Sequence, residues 1–183
     1  MPVVICMLRG VNVGGHNRVK MDDLKKLCTS LKLCDPQTYV QSGNIVFSTD
    51  ERDLDKLRKS LESAIHKKFG FHSDVILRSA KDLREVVAGN PFGKRKDIHP
   101  GKLLVTFFSA DPGEAARKQA RAIKTDPEEL FIEGREAYVY FPNGAGRSKL
   151  NWSLIPKTLK VQGTARNWNS VTKLLEMAEK KEA

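Results

Sequence analysis

The residues best suited to hold an anion crowd into residues 8–20, LRGVNVGGHNRVK. Gly14 and Gly15 let successive backbone N–H groups face one point, and Asn12, Asn17, Arg18 and Lys20 add side-chain donors. An amphipathic helical pattern starts directly afterwards, so the positive end of a helix lies next to the loop. Two phosphate motifs are excluded by spelling. The dinucleotide fingerprint needs G-x-G-x-x-G, and the glycines here are Gly10, Gly14 and Gly15. Gly10 and Gly15 have the spacing of a Walker A loop, but His16 and Asn17 stand where Lys and Ser/Thr are required. The loop therefore reads either as an anion cradle without a named motif or as a turn that glycines permit.

Arg9 ends the apolar run VVICML, where a charge is costly unless it is paired or faces a cleft. It is an anion contact or the partner of Asp22 or Asp23. A second polar cluster, GTARNWNSV, precedes the last helical pattern. Thr164 or Asn167 caps that helix, with Arg166 and Trp168 in its first turns, where an Arg beside an indole can hold phosphate or stack on a base. Trp168 also opens the apolar stripe of the helix. Gln41, Ser42 and Asn44 are turn residues with spare polar groups. FPNGAGRSK, with Gly144, Gly146, Arg147 and Lys149, is a second and weaker glycine loop. The candidate binding set is Arg9, Asn12, Gly14, Gly15, Asn17, Lys20, Gln41, Ser42, Asn44, Thr164, Arg166, Asn167 and Trp168.

No catalytic constellation accompanies this set. His16, His66, His72 and His99 lack metal-ligand spacing, no G-x-S-x-G elbow occurs, and no metal or cofactor is expected. Cys6, Cys28 and Cys34 form an odd, irregularly spaced trio, which fits a reducing compartment better than a disulfide scaffold.

Regular elements must position these residues. VVICML reads as a buried strand. Leu24, Leu27, Cys28 and Leu31 mark a helix with Asp22 and Asp23 in its first turn. TYVQSGNIVFS reads as a hairpin centred on Ser42, Gly43 and Asn44. Leu54, Leu57, Leu61, Ala64, Ile65 and Phe69 form one stripe that stops at Gly70, and DVILR is a further strand. The order β-α-β-β-α-β is the split βαβ arrangement of ferredoxin-like domains.

After a helix over residues 81–88 and the link GNPFGKRKDIHPG, the order partly repeats. LLVTFF, LFIE and AYVYF read as strands, and EAARKQARAI as a helix. A helix around SKLNWSLIPKTL is kinked or broken at Pro156. A closing strand is missing unless KVQG supplies it. The expected fold is α+β: duplicated ferredoxin-like units, with mixed or antiparallel sheets and helices packed on them. The expected divisions are residues 1–80, a helix and linker over 81–102, and a C-terminal βαββα subdomain over 103–183.

The chain has 183 residues, and 32 basic against 22 acidic side chains leave a net charge of +10. That field favours nucleic acid, anionic surfaces or anionic metabolites without selecting among them. The only basic run is KRK at residues 94–96. No segment reaches the length of a membrane span and the N-terminus has no signal pattern, so a cytoplasmic protein without a membrane partner is expected. RNA-recognition motifs share the element order, but VVICML has no aromatic residue and NIVFS only Phe47, so base stacking on the sheet is not expected.

MLRGVNVGGHNRVKMDDL, TYVQSGNIVF, NPF and TARNWNSVTKLLEM together resemble the bacterial family catalogued as domain of unknown function 1697, over nearly the whole chain. The resemblance implies a compact cytoplasmic α+β protein with ferredoxin-like halves and carries no activity. It places most of the candidate residues in the family's recurring motifs. The leading functional expectation is an anion-binding module for phosphate-bearing ligands, nucleic acid or nucleotide. The rivals are an enzyme on a small phosphorylated or acidic metabolite and a structural or protein-interaction domain.

Overall fold

The computed structural model describes residues 1–183 and contains two four-stranded, wholly antiparallel sheets. The chain divides into two compact units, Met1–Glu85 with Thr172–Ala183, and Val86–Val171.

In the first unit, β1 (Val3–Leu8), α1 (Met21–Ser30), β2 (Cys34–Tyr39), β3 (Asn44–Ser48), α2 (Leu54–Phe69) and β4 (Val75–Ser79) follow the expected order. The strands lie as β2-β3-β1-β4. Leu24, Leu27 and Cys28 of α1 and Leu57, Leu61 and Ile65 of α2 pack with Cys6, Leu8, Ile45 and Phe47 from one sheet face. Asp53 accepts hydrogen bonds from the N–H groups of Asp55 and Lys56, and Gly70 closes α2 at φ +79. β2 is an edge strand holding Pro36, with a bulge between Cys34 and Gln37, a position where a missing N–H costs little. α3 (Ala80–Ala88) starts in a capping box. Asp82 N–H donates to Ser79 Oγ at 3.0 Å, and Ser79 N–H donates to Asp82 Oδ2 at 2.9 Å.

The second unit repeats the arrangement with β5 (Leu103–Phe108), α4 (Glu114–Arg121), β6 (Glu129–Glu133), β7 (Glu136–Tyr140), α5 (Leu154–Leu159) and β8 (Gly163–Asn167), in the sheet order β6-β7-β5-β8. Two expectations are corrected here, on the closing strand and on the helix before it, and the choice between mixed and antiparallel sheets is settled. The closing strand exists and is GTARN, not KVQG, so Thr164 and Arg166 lie on β8 and not at the start of a helix. The helix expected around SKLNWSLIPKTL shrinks to α5, with Pro156 in its first turn, where a missing N–H breaks no bond. Both sheets are antiparallel throughout; neither is mixed.

The link before β5 is anchored. Phe92 is buried against Phe131 and Tyr140, and Arg95 of the KRK run pairs with Asp97 and Glu129. α6 (Trp168–Glu182) closes the chain, and its Lys181 and Glu179 pair with Asp35 and Arg84. No helix is long and apolar enough to cross a membrane.

Candidate functional site

The loop over residues 9–20 is a small hairpin. Asn12 N–H donates to Asn17 O at 3.1 Å and His16 N–H to Val13 O at 3.0 Å, with Gly14 (φ +57) and Gly15 (φ +77) at the tip. Two successive positive φ angles are the signature of a type I′ turn, which explains the glycine pair. Asn12 (φ +54) holds the hairpin to the fold. Its amide donates to Val19 O at 2.9 Å and Gln41 O at 2.7 Å, and its Oδ1 accepts from Val19 N–H at 2.8 Å. Asn17 donates to Gly10 O at 3.1 Å. Val11 and Val19 are buried in the core of the unit, so both arms of the loop are nailed down while its tip is exposed.

The β2–β3 turn packs beside this loop. Gly43 O accepts from Leu8 N–H at 3.0 Å, and buried Asn44 ties the turn by donating to Tyr39 O and Ser42 Oγ. Val40 takes φ +52, an unfavourable conformation for a β-branched residue. Between loop and turn lies a pocket of about 530 Å³, lined by Asn12, Gly15, Arg18, Val19, Lys20, Asp23, Gln41 and Phe69.

The pocket thus gathers Asn12, Gly15, Lys20 and Gln41 from the expected set, while Gly14, Asn17, Ser42 and Asn44 shape the turns around it. Asn12 is spent on the scaffold. Arg18 and Lys20 are exposed and form no ion pair with any carboxylate, and Lys20 precedes α1 without capping it through its side chain. The first N–H groups of α1 therefore add to the positive potential, and Asp23 offsets part of it. Phe69 was missed in the sequence because it reads only as the end of a core stripe. One turn beyond Ile65, the ring packs against the edge of the core and is half-exposed at the pocket.

Arg9 is occupied elsewhere. Its partner is Asp74, at 3.1 Å, and not Asp22 or Asp23; its C=O accepts from Ser73 Oγ at 2.8 Å. Burial pushes the Asp74 carboxyl upward, but hydrogen bonds from His72 and Arg9 outweigh it and hold the group below the usual carboxylate range.

In the second unit, buried Arg166 donates to Thr164 Oγ1 at 2.7 Å and Ala165 O at 2.9 Å. Asn167 is the cap of α6, accepting from Ser170 N–H at 2.8 Å, and Trp168 is half-buried at the first position of that helix. No three His, Cys, Asp or Glu side chains cluster as metal ligands.

Residues 1–138 match the family described as Protein of unknown function (DUF1697). The chain belongs to this family. A solved structure described as that of conserved bacterial protein SP0830 from Streptococcus pneumoniae is 22% identical, with a TM-score of 0.71 over 97% of this chain and 98% of that one. At that identity the likeness speaks for the fold of this DUF1697 protein. None of the curated proteins matches the chain.

Proposed function

We propose that this DUF1697 protein binds a phosphate-bearing ligand, a nucleotide or a nucleotide unit of nucleic acid, in the pocket beside its glycine hairpin. The observation that carries this reading is the pair of unpaired cations, Arg18 and Lys20, on one pocket with the uncapped start of α1 and the ring of Phe69. Cations and helix N–H groups suit a phosphate, and a half-exposed aromatic face suits a base. The net charge of +10 draws such ligands in from a distance. The protein works in the reducing cytoplasm, a placement supported by three free cysteines; burial pushes the Cys28 thiol up to about 12 and leaves it unreactive.

The test is fluorescence anisotropy of a short labelled single strand, with unlabelled nucleotides as competitors. Two phosphate contacts predict a loss of roughly sevenfold in affinity for a fourfold rise in salt. Arg18→Ala/Lys20→Ala should remove binding, whereas Arg9→Ala should leave it nearly intact. Native affinity in the Arg18/Lys20 variant would end the proposal.

A further inference from the structure

We propose that the second unit holds a separate site for a small amine that also carries carboxylate or phosphate groups. A pocket of about 430 Å³ lies between the turn before β6 and the second glycine loop, and its wall includes Lys124, Asp126, Glu128, Asn143, Arg147 and Lys149. None of these side chains makes a hydrogen bond or ion pair within the protein. Two arginines elsewhere in the same unit are matched. Arg95 pairs with Asp97 at 2.6 Å and Glu129 at 2.7 Å, and Arg121 pairs with Glu114 at 2.8 Å.

Glu128 decides the chemistry. The residue is 6% exposed as a whole, and its carboxylate, which keeps an edge of solvent contact, has no donor within the protein. Its backbone is fixed to Thr125, its N–H donating to Thr125 O and its C=O accepting from Thr125 Oγ1, each at 2.9 Å. An ammonium group in the pocket supplies the missing donor. Lys124, Arg147 and Lys149 outnumber Asp126 and Glu128, so the same ligand must bring negative groups as well. A bare anion meets two carboxylates, and a bare amine meets three cations. A ligand with both signs satisfies the whole wall, and the volume is ample for a small metabolite.

Isothermal titration of the full chain tests this, with O-phosphoethanolamine and L-glutamate as probes and ethanolamine, glutarate and inorganic phosphate as single-sign controls. At least one probe should bind about tenfold more tightly than every control. Preference for phosphoethanolamine identifies a phosphate ligand, and preference for glutamate a carboxylate one. Glu128→Gln should weaken that probe about tenfold, whereas Arg18→Ala/Lys20→Ala should not change it, which separates this site from the glycine hairpin. Should Glu128→Gln fail to fold, Arg147→Ala/Lys149→Ala at exposed positions provides the same comparison. Absence of heat from both probes, controls binding as tightly as probes, or unchanged affinity in the pocket variants overturns the proposal.

Discussion

The two units share one plan and differ at one connection. In each, the closing strand pairs with the first strand and places a buried arginine opposite its third residue: Arg78 faces Ile5, and Arg166 faces Val105. Each arginine donates to the carbonyl of the preceding residue on its own strand. Just before the closing strand, Asp74 O accepts from Arg9 N–H in the first unit, and Gln162 O accepts from Ser109 N–H in the second. These repeated features belong to the fold. The connection from first strand to first helix is different. In the second unit residues 109–113 suffice, whereas the first unit uses residues 9–20, with positive φ at Gly10, Asn12, Gly14, Gly15 and Asn17. A ferredoxin-like unit closes without the longer loop, so its strained backbone answers to something beyond folding.

The hairpin glycines give the strongest way to break that comparison. A Cβ on Gly43 would lie 2.7 Å from Val11 Cγ2 and 2.8 Å from Leu8 Cβ, at φ +77. On Gly134, between β6 and β7, it would lie 3.9 Å from the nearest atom, Glu136 Oε2, at φ +55. Gly43→Ala should therefore cost about 2–5 kcal/mol, combining left-handed strain with overpacking against the long loop. Gly134→Ala should cost about 1–2 kcal/mol, from strain alone. Urea denaturation of the two variants measures the difference. Equal costs would mean that the long loop is not wedged against its hairpin.

Asn12 offers a sharper and smaller effect, since the second unit has no equivalent residue. Asn12→Ala removes two donated hydrogen bonds and leaves Val19 N–H without its acceptor, a loss of about 1–3 kcal/mol. Amide exchange at Val19 should accelerate and oligonucleotide binding should weaken, because Arg18 and Lys20 lose their fixed base. Unchanged exchange at Val19 would show the loop to be held by Val11 and Val19 alone.

The same contrast explains what could be read from the sequence. The stripe of α2 and its stop at Gly70 were legible, because helix periodicity and a left-handed cap are local. The I′ tip at Gly14 and Gly15 left its mark as a glycine pair. β8 was hidden because its buried residues are Thr164 and Arg166, and burying the polar side chains of a strand reverses the usual alternation. Asp74 was not legible as the partner of Arg9, since antiparallel pairing of β1 with β4 alone brings residues so distant in sequence together. Phe69 escaped for a related reason. Whether the last residue of an apolar stripe also lines a pocket depends on where the helix ends relative to a loop far away in the chain.

The smallest effect concerns the ion pair that the first unit adds to the shared backbone bond. Arg9 and Asp74 are 46% and 30% exposed at their side chains, so Asp74→Asn should cost no more than about 1 kcal/mol at pH 7. Asp74 is held below its ordinary value of 3.8 in the folded protein, so it binds a proton more readily when unfolded. Its contribution is complete above that value, declines as pH falls from there toward the folded-state pKa, and vanishes below it. Denaturation curves of native protein and Asp74→Asn should therefore differ slightly at pH 7 and converge in acid, below the folded-state pKa. A gap that persists in acid would assign the effect to the shape and hydrogen bonding of the side chain, and not to its charge. The second unit keeps the corresponding bond, Ser109 N–H to Gln162 O, with no ion pair beside it. Convergence would thus mark the charge of Asp74, held between Arg9 and His72, as an accessory clamp on the long loop.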